Sequence, residues 1–519
     1  MSAIWVFSQV EIPCNTDRVL RPIRTLPPDF LYRPCYFAPI LYSEWAVWKI
    51  EREMRAMEFF ERVKCLLLLA SLALPGTGQA AVESVHGNTL SLAEAVTRAQ
   101  DADPWLQGSL LQQQALMAQS VSAGSLPDPM VSLGFANLPT DTFDFNQEAM
   151  TQFKVGVSQR FARGDSLALE RERLALLGSR HPEMREDRRA RVAVIVASLW
   201  LDSYRATETI RLIEEDRSLF EYLVEVAQSS YATALGKTRQ QDIIRAQLEL
   251  TRLEDRLASL HQQRDSANGK LGEWLGPSYP AGGQLSWQQA SMSQTFAIAK
   301  SLKPLPLIES AILQSQAPLN GQWLSQYLLH HPAVRSLENK IEVERSGVAI
   351  AEQKYKPQWG VNASYGYRDD EPAGSDRSDF FSVGVTFDLP LFTANRQDKG
   401  VQSAVAKTEA VRTEKWLLLR GMRAEVETQR ARLFRLNQRR DLYSNQLLAQ
   451  MRDQAEASLS AYTTDDGDFS EVVRARIAEL NARIDALDIE IERAKTVAQL
   501  NYFFVGQTGS DVLESGESS

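Results

Sequence analysis

Four segments of the chain alternate apolar with small or polar residues, and long stretches of helical periodicity separate them in pairs. In the first pair Val131, Leu133 and Phe135 alternate with Ser132, Gly134 and Ala136, and Val155 and Val157 alternate with Lys154, Gly156 and Ser158. The second pair is cleaner. Trp359, Val361, Ala363, Tyr365 and Tyr367 share one side, Gly360, Asn362, Ser364 and Gly366 the other, and Phe381, Val383, Val385 and Phe387 oppose Ser382, Gly384, Thr386 and Asp388. Period two predicts strands over about 130–138, 153–161, 358–367 and 380–390, each with one apolar and one polar face. A soluble sandwich would show the same alternation. Strands about ten residues long and rich in ring side chains suit a membrane β-barrel, with Val131, Leu133, Phe135, Val155, Val157, Trp359, Val361, Tyr365, Phe381, Val383 and Val385 turned to lipid.

Between the strands the apolar spacing becomes helical. Ser91 and Glu94 form a capping-box pattern at the head of a run to about Leu126. Helical patterning then covers about 165–234, interrupted around Ser179, His181 and Pro182, and about 238–275. Leu212, Leu219, Leu223 and Val226 recur at heptad-like spacing, as in helices packed side by side with one face in water. At 1.5 Å per residue a pair of this length spans on the order of 100 Å, far more than a domain core needs. A segment rich in Pro, Gly and Ser covers 277–319 and reads as a small folded insert. The plan then recurs, with helices over about 320–353, 395–460 and 469–504 around the second strand pair.

The recurrence has a fixed offset. Pro332 follows Pro104 by 228, as Pro357 follows Pro129 and Phe381 follows Phe153. A period this long marks a duplicated helix-strand-strand-helix unit, because solenoid repeats run at roughly 20 to 50 residues. The units are 82–276 and 320–506, joined by the insert. Between the long helices of each unit lies a matching turn: Tyr231 to Gly236 leads into Asp242 and Arg245, and Tyr462 to Gly467 leads into Glu471 and Arg474. Gly236 suits a helix terminator; in the second unit Asp465 takes that place, with Gly467 nearby.

Arg62 and Lys64 precede an apolar run from Cys65 to Leu74, followed by Pro75 and small residues to Ala81. That is the layout of a secretory signal over 57–81, too short to span a bilayer, with 1–56 as an upstream extension from a mis-assigned start. All three cysteines, Cys14, Cys35 and Cys65, precede the cleavage point, so the mature chain would have none, which suits an oxidising envelope compartment. It would keep 48 basic and 58 acidic residues, a net charge of −10, against −9 for the whole chain, and neither value favours a nucleic-acid partner. The acidic tail over 507–519 reads as disordered.

The duplicated plan, the Val-Gly-Val strand cores, Leu389-Pro390-Leu391-Phe392 after the fourth strand and the Gly236 to Gln247 turn together resemble the TolC family of outer-membrane efflux channels, over about 89–506. The resemblance implies a homotrimer whose four strands per chain close a twelve-stranded barrel that continues as a long helical tunnel through the periplasm. It also implies docking on a periplasmic adaptor and an inner-membrane pump. Elementary geometry points to the oligomer too, since four strands cannot close a barrel and open edges are not tolerated in lipid. In the family the turns between the long helices form the tip that narrows the pore; by position this singles out Asp242, Tyr462, Asp465, Glu471 and Arg474, with Gly236 and Gly467 in the turns. Arg474 stands where some relatives carry an acid, so an Arg474–Glu471 pair replaces a double carboxylate ring. The stretch Phe387 to Arg396 and the turn Gly467 to Val472 are similar to the branch serving heavy-metal exporters of the resistance-nodulation-division type, which makes metal cations or drugs the expected cargo.

Other chemistry finds little purchase. No phosphate loop, nucleophile elbow or zinc spacing occurs, no cofactor is expected, and His330-His331 before Pro332 reads as a helix start rather than a metal pair. A periplasmic adaptor also joins strands to a helical hairpin. Two hairpins and two strand pairs rich in rings favour the channel.

Overall fold

The computed structural model describes residues 89–232, 239–276, 297–308, 310–313, 319–371, 374–464 and 467–506. The upstream extension, the signal segment, the acidic tail, residues 277–296 of the insert, Gly236 and Asp465 lie outside the described residues.

In chain order the elements are α1 (Leu92–Ala102), α2 (Pro104–Ala123), β1 (Met130–Ala136), β2 (Gln152–Phe161), α3 (Ser166–Ala232), α4 (Gln240–Leu275), α5 (Gly321–Leu329), α6 (Pro332–Gln353), β3 (Trp359–Tyr367), β4 (Phe380–Phe387), α7 (Gln397–Leu442), α8 (Leu448–Thr463) and α9 (Phe469–Phe503). A short 3-10 turn occupies Ser310–Leu313, and one π turn, Tyr443–Leu447, joins α7 to α8. The strands form one antiparallel sheet in the order β1-β2-β3-β4. No helix among the described residues is long and apolar enough to cross a membrane.

Three sequence expectations need correction. The first helical run is two helices, because the Asp103 side chain accepts from Trp105 N at 3.0 Å and caps a new helix that opens on Pro104. The run from Asn320 divides in the same way, with His331 as cap and Pro332 at the first position of α6. Conversely, α3 runs unbroken through Pro182 for 67 residues. Proline removes one backbone donor, and here the neighbouring turn is held by packing: Ser109 Oγ and His181 Nδ1 lie 2.9 Å apart, and Met117 fills the space beside Gly178. At the head of α1 Ser91 Oγ does accept from Glu94 N, at 3.3 Å.

Three apolar layers follow one another along the α3/α4 pair. The first gathers Trp200, Leu201, Leu271, Leu275 and Ile491; the next Ile213, Phe220, Leu257 and Leu480; the last Leu223, Ala246, Phe469 and Val472. Each joins the first hairpin to α9, so the two halves share one core along its length. A separate layer of Leu324, Leu328, Val334, Leu433 and Phe503 packs α5 and α6 on α7 and α9. Trp200 also donates its indole N–H to Leu90 O at 2.9 Å, and Leu90 bridges to Ile298, which ties the described edge of the insert to the helices.

Candidate functional site: the strand wall and the helix-turn tip

In an antiparallel sheet directly opposed residues point the same way, so the register fixes the faces. Val131 opposes Val157, Leu133 opposes Val155 and Phe135 opposes Phe153. Across the next pair Val155 meets Tyr365, Val157 meets Ala363 and Phe161 meets Trp359. Val361 meets Val385, Ala363 meets Val383 and Tyr365 meets Phe381. All the strand residues expected on the apolar side therefore share one face, and in a single chain that face is bare: Leu133 is 69% exposed and Phe381 72%. An apolar surface of this breadth is not left to water.

The opposite face is thin by construction. A methyl group on Gly360 would lie 2.7 Å from Thr386 Oγ1, and one on Gly384 would lie 2.8 Å from Asn362 Oδ1. Each glycine makes room for the polar side chain on the neighbouring strand. β1 and β4 are the sheet's edges. Where strands meet helices, Arg163 pairs with Asp388 and donates to Lys356 O at 3.0 Å, Lys356 pairs with Asp165 at 3.1 Å, and Asp388 accepts from Gln358 N at 2.7 Å. These contacts anchor both strand pairs to α3 at one level.

At the far end of the long helices the expected tip residues take different roles. Asp242 is buried, and its carboxylate accepts from Arg239 N at 2.9 Å, closing the first turn of α4. Tyr462 is half-buried, its ring edge-on to Phe469 at 5.6 Å in the layer that joins the two hairpins. Glu471 and Arg474 face solvent with 3.8 Å between their charged atoms, a spacing at which an exposed pair contributes little. Gly467 is required by close approach, since a methyl group there would sit 2.7 Å from Tyr462 N. Asp468 caps α9 by accepting from Ser470 N at 3.0 Å.

Sequence reasoning did not single out a belt of polar contacts that joins the end of α9 and the head of α6 to α3. Tyr502 donates to Asp187 Oδ1 at 2.8 Å, and Arg191 pairs with the same carboxylate at 2.8 Å. Burial, then the Asp187 charge, pushes the Tyr502 phenol up to about 12. His331, fully buried, accepts from Ala333 N on Nδ1 at 3.2 Å, which leaves Nε2 to donate to Tyr502 O at 3.0 Å. Its pKa is lowered, chiefly by burial. Asp103 pairs with Arg188 at 2.8 Å, whose guanidinium stacks on Trp105 and Trp274. Partners 85 to 315 residues apart leave no local signature. Among the described residues no cluster of three His, Cys, Asp or Glu side chains could hold a metal ion.

No protein-family profile matches the chain, and no curated protein matches it in sequence. Solved structures do. CusC, described in a study of folding and transmembrane channel formation, aligns with a TM-score of 0.61 at 17% identity, covering 80% of this chain and 92% of CusC. The CmeC outer-membrane channel of Campylobacter jejuni aligns at 0.62 and 14% identity, over 80% and 85% of the two chains. The outer-membrane protein VceC of Vibrio cholerae aligns at 0.61 and 14% identity, over 80% and 96%. The chain has the fold of these outer-membrane proteins.

Proposed function

We propose that this chain is a TolC-family outer-membrane factor, the channel component of a tripartite efflux system. Three copies pool their strands into a twelve-stranded barrel, and the long helices continue it as a periplasmic tunnel. The carrying observation is the sheet itself: four strands with an uncovered apolar face and two edges, on helices of up to 67 residues, about 100 Å. A lone sheet of this kind is stable neither in water nor in lipid, where every backbone polar group must be paired. Joining β1 of one copy to β4 of the next removes all the edges at once.

In this reading the eleven apolar-face positions from Val131 to Val385 meet lipid, and the small polar face lines water. A periplasmic adaptor and an inner-membrane pump of the resistance-nodulation-division type deliver cargo, which then leaves passively. The turns between the long helices form the tip, with Tyr462, Glu471 and Arg474 at its mouth and Asp242 stiffening the returning helix. The chain reaches the outer membrane after cleavage of the 57–81 signal. The duplicated plan is supported by Pro104 and Pro332, which both take the first helical position ahead of a strand pair.

Fractionation of cells followed by planar-bilayer recording tests the reading. The processed protein should sediment with the outer membrane, require detergent for extraction as an oligomer, and conduct. A soluble monomer would end the channel account, and recovery with the inner membrane would favour the adaptor reading.

A further inference from the structure

The two faces of the sheet differ in charge as well as polarity. Within the strands the apolar face carries no Lys, Arg, Asp or Glu, whereas the polar face carries Lys154 and Arg160 and no carboxylate. Lys154 is exposed, and its cross-strand neighbours on both sides are glycines, Gly134 and Gly366, which offer no side chain to accept from it or cover it. Arg160 is exposed too and faces Gly360. Among the described residues neither cation forms an ion pair, although Arg163 and Lys356 at the adjoining junction both do. The nearby carboxylates lie beyond the strands: Asp128 just before β1, Asp388 at the polar-face position just after β4 and already paired with Arg163, and Asp141, Asp144, Glu148, Asp369, Asp370, Glu371, Asp376 and Asp379 in the two loops at the opposite end, where Arg368 and Arg377 offset only part of the negative charge. The field therefore changes sign between loops and wall.

Resting on the channel reading, we infer that the barrel wall is a positively charged sleeve that passes anionic cargo in preference to cations, with Lys154 and Arg160 as its selectivity residues. Three copies place them in two rings of three, six residues apart along the strand, or about 20 Å. A twelve-stranded barrel with strands about 4.8 Å apart and tilted about 40° has a backbone radius of about 12 Å. Side chains of this length then bring the charges to about 8 Å from the axis, comparable with the Debye length of about 8 Å at physiological ionic strength. At water's dielectric constant three such charges raise the concentration of a monovalent anion on the axis about two- to threefold, and lower that of a cation by as much. Multivalent anions gain more. Of the cargo that the resemblance admits, the wall favours anionic organic compounds over free metal cations.

The test is the reversal potential of the processed oligomer in planar bilayers under a KCl gradient, for wild type, Lys154→Gln, Lys154→Glu, Arg160→Gln and Arg160→Glu. The tip contributes equally to all five, so the differences report the wall. Each neutralisation should lower the chloride-to-potassium permeability ratio, and each reversal should lower it further, by about twofold or more per ring with conductance retained. The Gln variants keep a polar, uncharged side chain and so serve if a Glu variant fails to assemble. Conducting Gln variants with an unchanged ratio overturn the inference and leave the channel standing. Absence of any conductance from the wild type overturns the channel reading, and this inference with it.

Discussion

Val383 and Ser382 are adjacent on β4 and point to opposite faces, which makes them a paired probe of which face meets lipid. Val383 is the fourth residue of the eight-residue strand, opposes Ala363 and is 64% exposed in a single chain. Ser382 opposes Ser364 on the polar face. An arginine placed at the bilayer midplane on a barrel's lipid face costs about 2–4 kcal/mol per site, and one on the water-filled side costs little. Val383→Arg should therefore reduce the folded-to-unfolded ratio by roughly 30- to 900-fold per chain, three times over in free energy for three copies, while Ser382→Arg should stay within about 1 kcal/mol of wild type. The assay is urea titration of the protein folded into lipid vesicles, followed by tryptophan fluorescence and by the heat-sensitive oligomer band on gels. Equal losses from both substitutions, or a larger loss from Ser382→Arg, would refute the assignment of faces.

Other consequences follow from particular contacts. Asp103→Ala removes the α2 cap and leaves Arg188 without its carboxylate, so it should cost about 2–4 kcal/mol in thermal or urea unfolding, whereas Asp103→Asn keeps the cap and should cost markedly less. Burial lowers the His331 pKa below that of the unfolded chain, near 6.5, so protonation favours the unfolded state and the stability from this site is lost as pH falls below about 6.5. His331→Asn preserves a capping oxygen and should flatten the fall in stability between pH 7 and 5; an unchanged slope would exclude His331 as a source of acid sensitivity. Phe469 is 2% exposed in the layer joining the hairpins, so Phe469→Ala should cost about 3–5 kcal/mol locally and speed amide exchange in 219–227 and 469–477, while Glu471→Ala should leave that exchange within a few-fold of wild type. Gly467→Ala forces a methyl group against the Tyr462 backbone and should destabilise the turn by more than about 1 kcal/mol, seen as faster proteolysis there.

The strands were legible because alternation is a local property with one physical cause, and Gly360 and Gly384 sit in it for a reason that the register supplies. What alternation could not reveal was that β2 lies beside β3, since Phe161 and its partner Trp359 are 198 positions apart and that pairing is decided by the fold. Helix breaks were misread in both directions. Asp103-Pro104 is a strong local stop-and-start signal that a long periodic window overran, and Pro182 is a breaker by propensity that packing against Ser109 and Met117 overrides. Near the turns between the long helices, the chain position of Asp242 and Tyr462 did not reveal their contacts, because a carboxylate at the third helical position serves its own cap as readily as a pore. The Tyr502–Asp187–His331 belt carried no signal beyond the helix start read at His331-Pro332, which His331 caps, because its contacts join α3, α6 and α9 only on folding.

The most direct measurement exploits the absence of cysteine beyond Cys65. With one cysteine introduced at Leu133 on β1 and a second, in separate variants, at Phe381, Val383 or Val385 on β4, oxidation of the membrane-embedded protein should yield a ladder of disulfide-linked species ending at three chains for at least one of these pairs. Chains that link only within themselves, or a ladder that runs past three, would contradict a barrel closed by three copies.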